Sequence, residues 1–140
     1  MKRIAICPGT FDPVTNGHID LVKRGLRIFD KIVIAVATAY KKQPLFTAEE
    51  RMKLIREAVK SYNNVSVESF DGLLVEYVRS KKGCALIRGL RAVSDFEYEL
   101  QMALMNRRLD FEIETVFMMP SEEYSFLTST IVKEIASLGG

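Results

Sequence analysis

The sequence predicts an α/β fold, a doubly wound five-stranded parallel sheet with helices on both faces. Three observations lead there. Apolar runs of strand length alternate with segments of helical periodicity along all 140 residues. Residues 31–37 (Lys-Ile-Val-Ile-Ala-Val-Ala) are almost continuously apolar, the pattern of an inner strand covered on both sides. Finally, the polar and glycine-bearing clusters follow the strands, and in a parallel sheet all those carboxyl ends lie on one edge. With right-handed crossovers, such a sheet is Rossmann-like.

Each element has its own signal. Residues 3–7 (Arg-Ile-Ala-Ile-Cys) read as a short buried strand, and Ile19, Val22, Leu26 and Phe29 then recur at helical spacing, so a helix starts near Asn16 or Gly17. The second strand, 31–37, completes a βαβ unit, and residues 40–46 leave it as a loop. Thr47-Ala48-Glu49-Glu50 fits a capping box for a helix whose apolar face carries Met52, Ile55, Ala58, Val59 and Tyr62. Residues 65–70 alternate with period two, as a half-exposed strand does, and Asp71-Gly72 turns the chain into a short helix with Leu74, Val75 and Val78. Residues 84–88 are read as a buried strand ending at Gly89. Ser94-Asp95-Phe96-Glu97 is a second capping box, opening a long helix that reaches about Leu109. The fifth strand is 114–119, stopped by Pro120. Thr128-Ser129-Thr130 opens a last helix through Ile131, Val132 and Ile135, ended by Gly139-Gly140. No domain boundary or repeat interrupts this alternation, so residues 1–140 are expected to form one domain.

Bulk properties narrow the function. The chain is 48% apolar and 27% charged, the composition of an ordinary globular protein. A net charge of +2 is too small to argue for nucleic acid or an acidic membrane surface. No apolar run reaches the roughly 18 residues of a membrane span, and the amino terminus lacks a signal pattern, so a cytoplasmic location is expected. Cys7 and Cys84 lack metal-ligand spacing and are read as reduced thiols in buried strands.

The functional signal is concentrated in Pro8-Gly9-Thr10-Phe11-Asp12-Pro13-Val14-Thr15-Asn16-Gly17-His18, a tight connection from the first strand to the first helix. Gly9 and Gly17 are expected to let a ligand approach the backbone. The helix amino terminus favours an anion, and Thr10 and His18 add a hydroxyl and an imidazole. Lys42 after the second strand, Arg88 to Arg91 after the fourth and Tyr124 to Thr130 after the fifth converge on the same edge. This is a collection of donors and positive charge. His18 is the only histidine, and neither a GxSxG elbow, a histidine-based metal site, GxGxxG nor GxxxxGK[ST] occurs. Donor-rich sites without a protein nucleophile suit phosphoryl or nucleotidyl transfer between two bound substrates.

Thr15-x-Gly17-His18 resembles the T/HxGH signature of the nucleotidylyltransferase superfamily, at the strand–turn–helix position that signature requires. The likeness extends further. Ile87-Arg88-Gly89-Leu90-Arg91-Ala92-Val93-Ser94-Asp95-Phe96-Glu97-Tyr98-Glu99 and Phe126-Leu127-Thr128-Ser129-Thr130-Ile131-Val132-Lys133-Glu134 resemble signatures of bacterial phosphopantetheine adenylyltransferases, and similarity runs from about Arg3 to Ala136. Mild departures are Cys7 for a common tyrosine, Tyr124 for tryptophan and a Thr-Ser-Thr run for serines; the family also continues past this point with a further helical segment.

The resemblance implies transfer of the adenylyl group of ATP to 4′-phosphopantetheine, giving dephospho-coenzyme A and pyrophosphate, with Mg²⁺ and without a covalent intermediate. It implies catalytic roles for His18, Thr10 and Lys42, with His18 stabilising the transition state. It implies ATP binding by Thr10, Phe11, His18, Gly89, Leu90, Arg91 and Glu99. The run Tyr124, Ser125, Phe126, Leu127, Thr128, Ser129 and Thr130 would also hold ATP. Phosphopantetheine would be held by Thr10, Lys42, Leu74, Arg88 and Asn106. A homohexamer and feedback binding of coenzyme A are further implications. The alternatives are another nucleotidylyltransferase, with a nicotinate nucleotide or a choline- or glycerol-phosphate acceptor, and a nucleotide-binding module without catalysis.

Overall fold

The structure, a computed structural model, describes residues 2–38, 43–90 and 96–140. Lys42, Arg91 and the capping residues Ser94 and Asp95 therefore lie outside the described residues. Among those described, five parallel strands form one sheet: β1 (Ile4–Gly9), β2 (Lys31–Ala37), β3 (Val65–Phe70), β4 (Ala85–Gly89) and β5 (Glu114–Met118). Between and after them run α1 (Asn16–Gly25), α2 (Ala48–Ala58), α3 (Leu74–Ser80), α4 (Phe96–Leu109) and α5 (Ser129–Ser137), with a 3₁₀ turn at Glu122–Tyr124. The strand order is β3-β2-β1-β4-β5, the doubly wound arrangement expected.

Period-two alternation along the strands sorts the core into two layers. Ala5, Cys7, Ile32, Ile34, Val36 and Ile87 face Leu21 and Val22 of α1 and Met52 and Ile55 of α2. Ile6, Val33, Ala35 and Leu86 point the other way, against Val75 and Val78 of α3 and against Ile113. Helices thus cover both faces. Contact is close where α1 meets the sheet: a Cβ on Gly25 would stand 2.7 Å from Ile32 and 2.8 Å from Ile87.

The capping box at Thr47 forms as predicted, with Glu50 N–H donating to Thr47 Oγ1 and Thr47 N–H to Glu50 Oε1. Thr128 caps α5 through Ile131 N–H. Gly72 occupies a positive φ of 78° in the turn before α3, where a side chain would be strained. Several boundaries differ from expectation, among them the start of β1 at Ile4 rather than Arg3 and the end of α2 at Ala58. β1 runs two residues further, through Pro8 and Gly9, because Pro8 needs no N–H partner to stay in register with Ala35. β5 ends at Met118 rather than 119. Cys84 precedes β4 and is exposed, so only Cys7 is a buried thiol.

What positions the site is the pairing of β1 with β4. It spans only Ala5↔Ala85 and Ile6↔Leu86, whereas β1 stays paired with β2 through Gly9↔Val36. Past Ile6 the two central strands part, and a crevice opens between their carboxyl ends.

Candidate active site

The crevice holds about 350 Å³. The end of β1 supplies Thr10 and Phe11, α1 supplies His18, and β4 supplies Arg88 and Gly89. Glu99 of α4 closes one side, and Tyr124, Leu127, Thr128, Ser129 and Thr130 close another. These sequence-predicted residues are brought together from four separate parts of the chain. Leu90, Ser125, Phe126, Leu74 and Asn106 are not in that lining. Leu90 donates its N–H to Met118 at 3.1 Å, and Ser125 turns its hydroxyl to the Glu122 carbonyl. Phe126 is exposed, Leu74 packs on the α3 core layer and Asn106 is buried in α4.

His18 owes its place to helix capping. It is the third residue of α1, where a side chain can reach back to the cap, and Thr15 is the cap. Thr15 N–H donates to His18 Nδ1 at 2.9 Å, and Thr15 Oγ1 accepts from His18 N–H at 3.4 Å. A ring nitrogen that accepts from a main-chain N–H carries no proton, so the neutral imidazole holds its proton on Nε2. The T-x-x-H spacing is thus a capping box with an imidazole in the usual place of glutamate. The Phe11 ring, 4.8 Å from the imidazole at 64°, packs edge-on against it and is itself buried.

A Cβ on Gly9 would meet the Phe11 ring at 3.0 and 3.1 Å, so glycine makes room for Phe11 on that side, while its backbone lines the crevice. Gly17 likewise faces Thr15 and Tyr124 within the chain. Phe11 reaches this position from φ 52°, a backbone conformation unusual for a side-chain-bearing residue.

Arg88 bridges the gap between the parting strands. Its Nη1 donates to Pro8 O at 2.9 Å, while Nε and Nη2 form a bidentate pair with both oxygens of Glu99 at 2.8 and 2.7 Å. Glu99 is buried and its carboxylate keeps Arg88 charged, raising the guanidinium further above its ordinary value. Both Glu99 oxygens are therefore committed within the chain. Beside Arg88, burial pushes the Cys7 thiol up to about 11, which leaves it protonated at neutral pH and no nucleophile.

Two carboxylates that sequence reasoning passed over build the frame. Asp12 is buried, which by itself would raise its pKa. Main-chain N–H donors from Leu45 at 2.8 Å and Phe46 at 2.9 Å, with the Lys133 ammonium at 3.0 Å, outweigh burial and hold it below the usual range. Asp20 does the same for the 3₁₀ turn, accepting from Ser121 N–H, the Ser121 hydroxyl and Arg24. Ser129 fixes the start of α5 by donating its hydroxyl to Pro13 O at 2.7 Å. The amino end of α5 is thereby turned to the crevice, where its first N–H groups suit an anion. Among the described residues no group of three or more His, Cys, Asp or Glu side chains is set to hold a metal ion.

A donor-lined crevice at the switch point of a doubly wound sheet, with a histidine at the head of the first helix, defines a class. The cytidylyltransferase-like family model matches residues 6–135, and the chain belongs to that family. The phosphopantetheine adenylyltransferase of Thermodesulfovibrio yellowstonii is 59% identical over 141 residues, covering 100% of this chain and 88% of the relative. That of Syntrophus aciditrophicus is 53% identical over 140 residues, covering 100% and 85%. Within its class the chain belongs with these phosphopantetheine adenylyltransferases. The fold extends further. A bifunctional NMN adenylyltransferase/ADP ribose pyrophosphatase from Francisella tularensis superposes on 100% of this chain and 43% of its own at a TM-score of 0.74, with 15% identity.

Proposed function

We propose that this protein transfers the adenylyl group of ATP to 4′-phosphopantetheine, releasing pyrophosphate and leaving dephospho-coenzyme A. The observation that carries this reading is the crevice itself. It gathers a neutral histidine, hydroxyls, an arginine and a helix amino terminus, a donor set that suits phosphate-bearing substrates, and the buried thiol beside it is protonated. The names of the relatives supply the acceptor.

A phosphate oxygen of the acceptor attacks the α-phosphorus of ATP in line. The bond from that phosphorus to the oxygen bridging to the β-phosphate breaks, and pyrophosphate leaves with the electron pair. Charge grows on the α-phosphate oxygens, and His18 Nε2–H, aligned through the Thr15 contact to Nδ1, donates to one of them. The amino end of α5, with Thr128, Ser129 and Thr130, receives the departing phosphates. Arg88, Thr10 and Lys42 hold the acceptor phosphate, Arg88 with its Glu99 pair fixing the direction of approach. Leu74 and Asn106 would then meet the pantetheine arm only where it leaves the crevice. Phe11, Gly89, Tyr124, Leu127, Thr128, Ser129 and Thr130, which line the crevice, hold the nucleotide, together with Arg91.

Mg²⁺ enters as part of the nucleotide substrate, its ligands supplied by triphosphate oxygens and water. The donor set suits this, since Asp12 and Glu99 are both committed to protein partners. Bound with the nucleotide, the ion would supply charge neutralisation for the phosphates. Coenzyme A, which shares the pantetheine phosphate arm, is proposed to bind the same crevice as a feedback ligand. The apolar surface that α4 leaves exposed, including Leu104, Met105 and the following Phe111, suits a contact between copies, and the assembly proposed is a homohexamer. No helix of the described residues is long and apolar enough to cross a membrane.

The test is pyrophosphate release from ATP and Mg²⁺ with and without 4′-phosphopantetheine, the product being identified by mass. Release that requires this acceptor and yields dephospho-coenzyme A is expected. Release with nicotinate mononucleotide or a choline or glycerol phosphate in its place would move the chain to the alternative acceptors.

A further inference from the structure

Arg51 of α2 is 2% exposed, and among the described residues no carboxylate pairs with it. Its partners are main-chain carbonyls. Nε donates to Phe46 O at 3.1 Å, and Nη1 donates to Thr10 O at 2.8 Å and to Ala37 O at 3.1 Å. Those three carbonyls belong to three segments that meet beneath the crevice: the loop after β1, the end of β2 and the entry to α2. The main chain of Phe46 is gripped twice, its carbonyl by Arg51 and its N–H by Asp12. Burying a cation without a counter-charge is costly, and a neutral side chain of similar volume would serve packing better. A guanidinium placed there does something packing cannot, because its planar fork addresses several carbonyls in fixed directions at once.

We propose that Arg51 is a positioning residue of the transfer site. By tying Ala37 and Phe46 together it fixes the described residues on both sides of the sequence position of Lys42, and by holding Thr10 O it ties those flanks to the Thr10 loop. The inference rests on the reading of Thr10 and Lys42 as holders of the acceptor phosphate. It assigns Arg51 no contact with substrate.

The test uses the full chain with Arg51→Lys and Arg51→Met. Lysine keeps the charge but offers one nitrogen where the structure uses two, so it does not restore the geometry. In Arg51→Lys the KM for 4′-phosphopantetheine is expected to rise about tenfold or more and kcat to fall by a similar factor, since small misplacements in such sites have effects of that size. The dissociation constant for ATP alone should change less than about threefold, because most of the nucleotide's partners lie on other elements. Residue-resolved amide exchange should quicken at Leu45 and Phe46 by about tenfold while Ile6 and Val33 in the sheet stay protected.

Unchanged KM values with kcat falling only as the folded fraction falls would overturn the proposal, as would an Arg51→Lys protein indistinguishable from wild type. If Arg51→Met does not fold, Arg51→Lys decides alone. A wild-type protein that folds but does not use 4′-phosphopantetheine would sink the functional reading by itself. The exchange at Leu45 and Phe46 would then still decide the positioning role, quickening supporting it and an unchanged rate overturning it.

Discussion

His18 does two jobs, and substitution can separate them. As the third residue of α1 it completes the cap at Thr15, and the proposed mechanism also makes it the Nε2–H donor to the charge that develops on the α-phosphate. His18→Ala is expected to lower kcat by about 10² or more, the usual loss for a preorganised donor, and to lower stability by about 1 kcal/mol through the cap. His18→Glu offers a side-chain oxygen to Thr15 N–H and no donor to the phosphate, so thermal unfolding should return toward wild type while turnover stays near the alanine level. Turnover recovering along with stability would mean that the cap alone matters. The thiols give a simpler check: a disulfide reagent should modify Cys84 quickly and Cys7 only on unfolding, read by absorbance against protein concentration. At this scale the sequence exposes residue type and spacing but not partner. The Thr15–His18 spacing was legible as a motif, and its capping geometry follows from the same spacing. Arg51 was hidden inside the charged run Glu49-Glu50-Arg51, which reads as a solvated face until β1 and β2 are folded beneath it. Cys84 was misplaced because an apolar run does not show where its first residue leaves the sheet.

At the scale of elements, α5 is held by polar contacts more than by burial. None of its residues is fully buried, and it is tied by Ser129 to Pro13 and by Lys133 to Asp12. Asp12 and Asp20 both have carboxyl groups held below their ordinary range in the fold, burial opposing the shift and hydrogen bonds and cations overcoming it. Each contributes stability that is present above its unfolded pKa of about 4 and is lost as pH falls through the depressed folded value. Acid unfolding followed by circular dichroism should therefore steepen below about pH 4, and Asp12→Asn should remove part of that slope. An identical slope in the variant would count against Asp12 as the tie. Element types were legible because periods of two and 3.6 and the capping box at Thr47 are local signals. The tie between Lys133 and Asp12, 121 residues apart, is tertiary and left no local trace.

For the whole molecule, the decisive feature is that β1 and β4 are neighbours but pair over only two positions. Strand order cannot be read from periodicity; parallel topology implied one shared edge, and the structure adds the parting of two central strands above it. That opening gathers His18, Arg88 and the start of α5, and it sets the central claim that the crevice acts by positioning two substrates rather than by lending a nucleophile. The most direct measurement is the stereochemical course at the α-phosphorus, followed with ATP carrying a chiral α-thiophosphate and 4′-phosphopantetheine as acceptor. One in-line displacement predicts inversion in the dephospho-coenzyme A analogue. Retention would require two displacements through an adenylylated residue and would contradict the account.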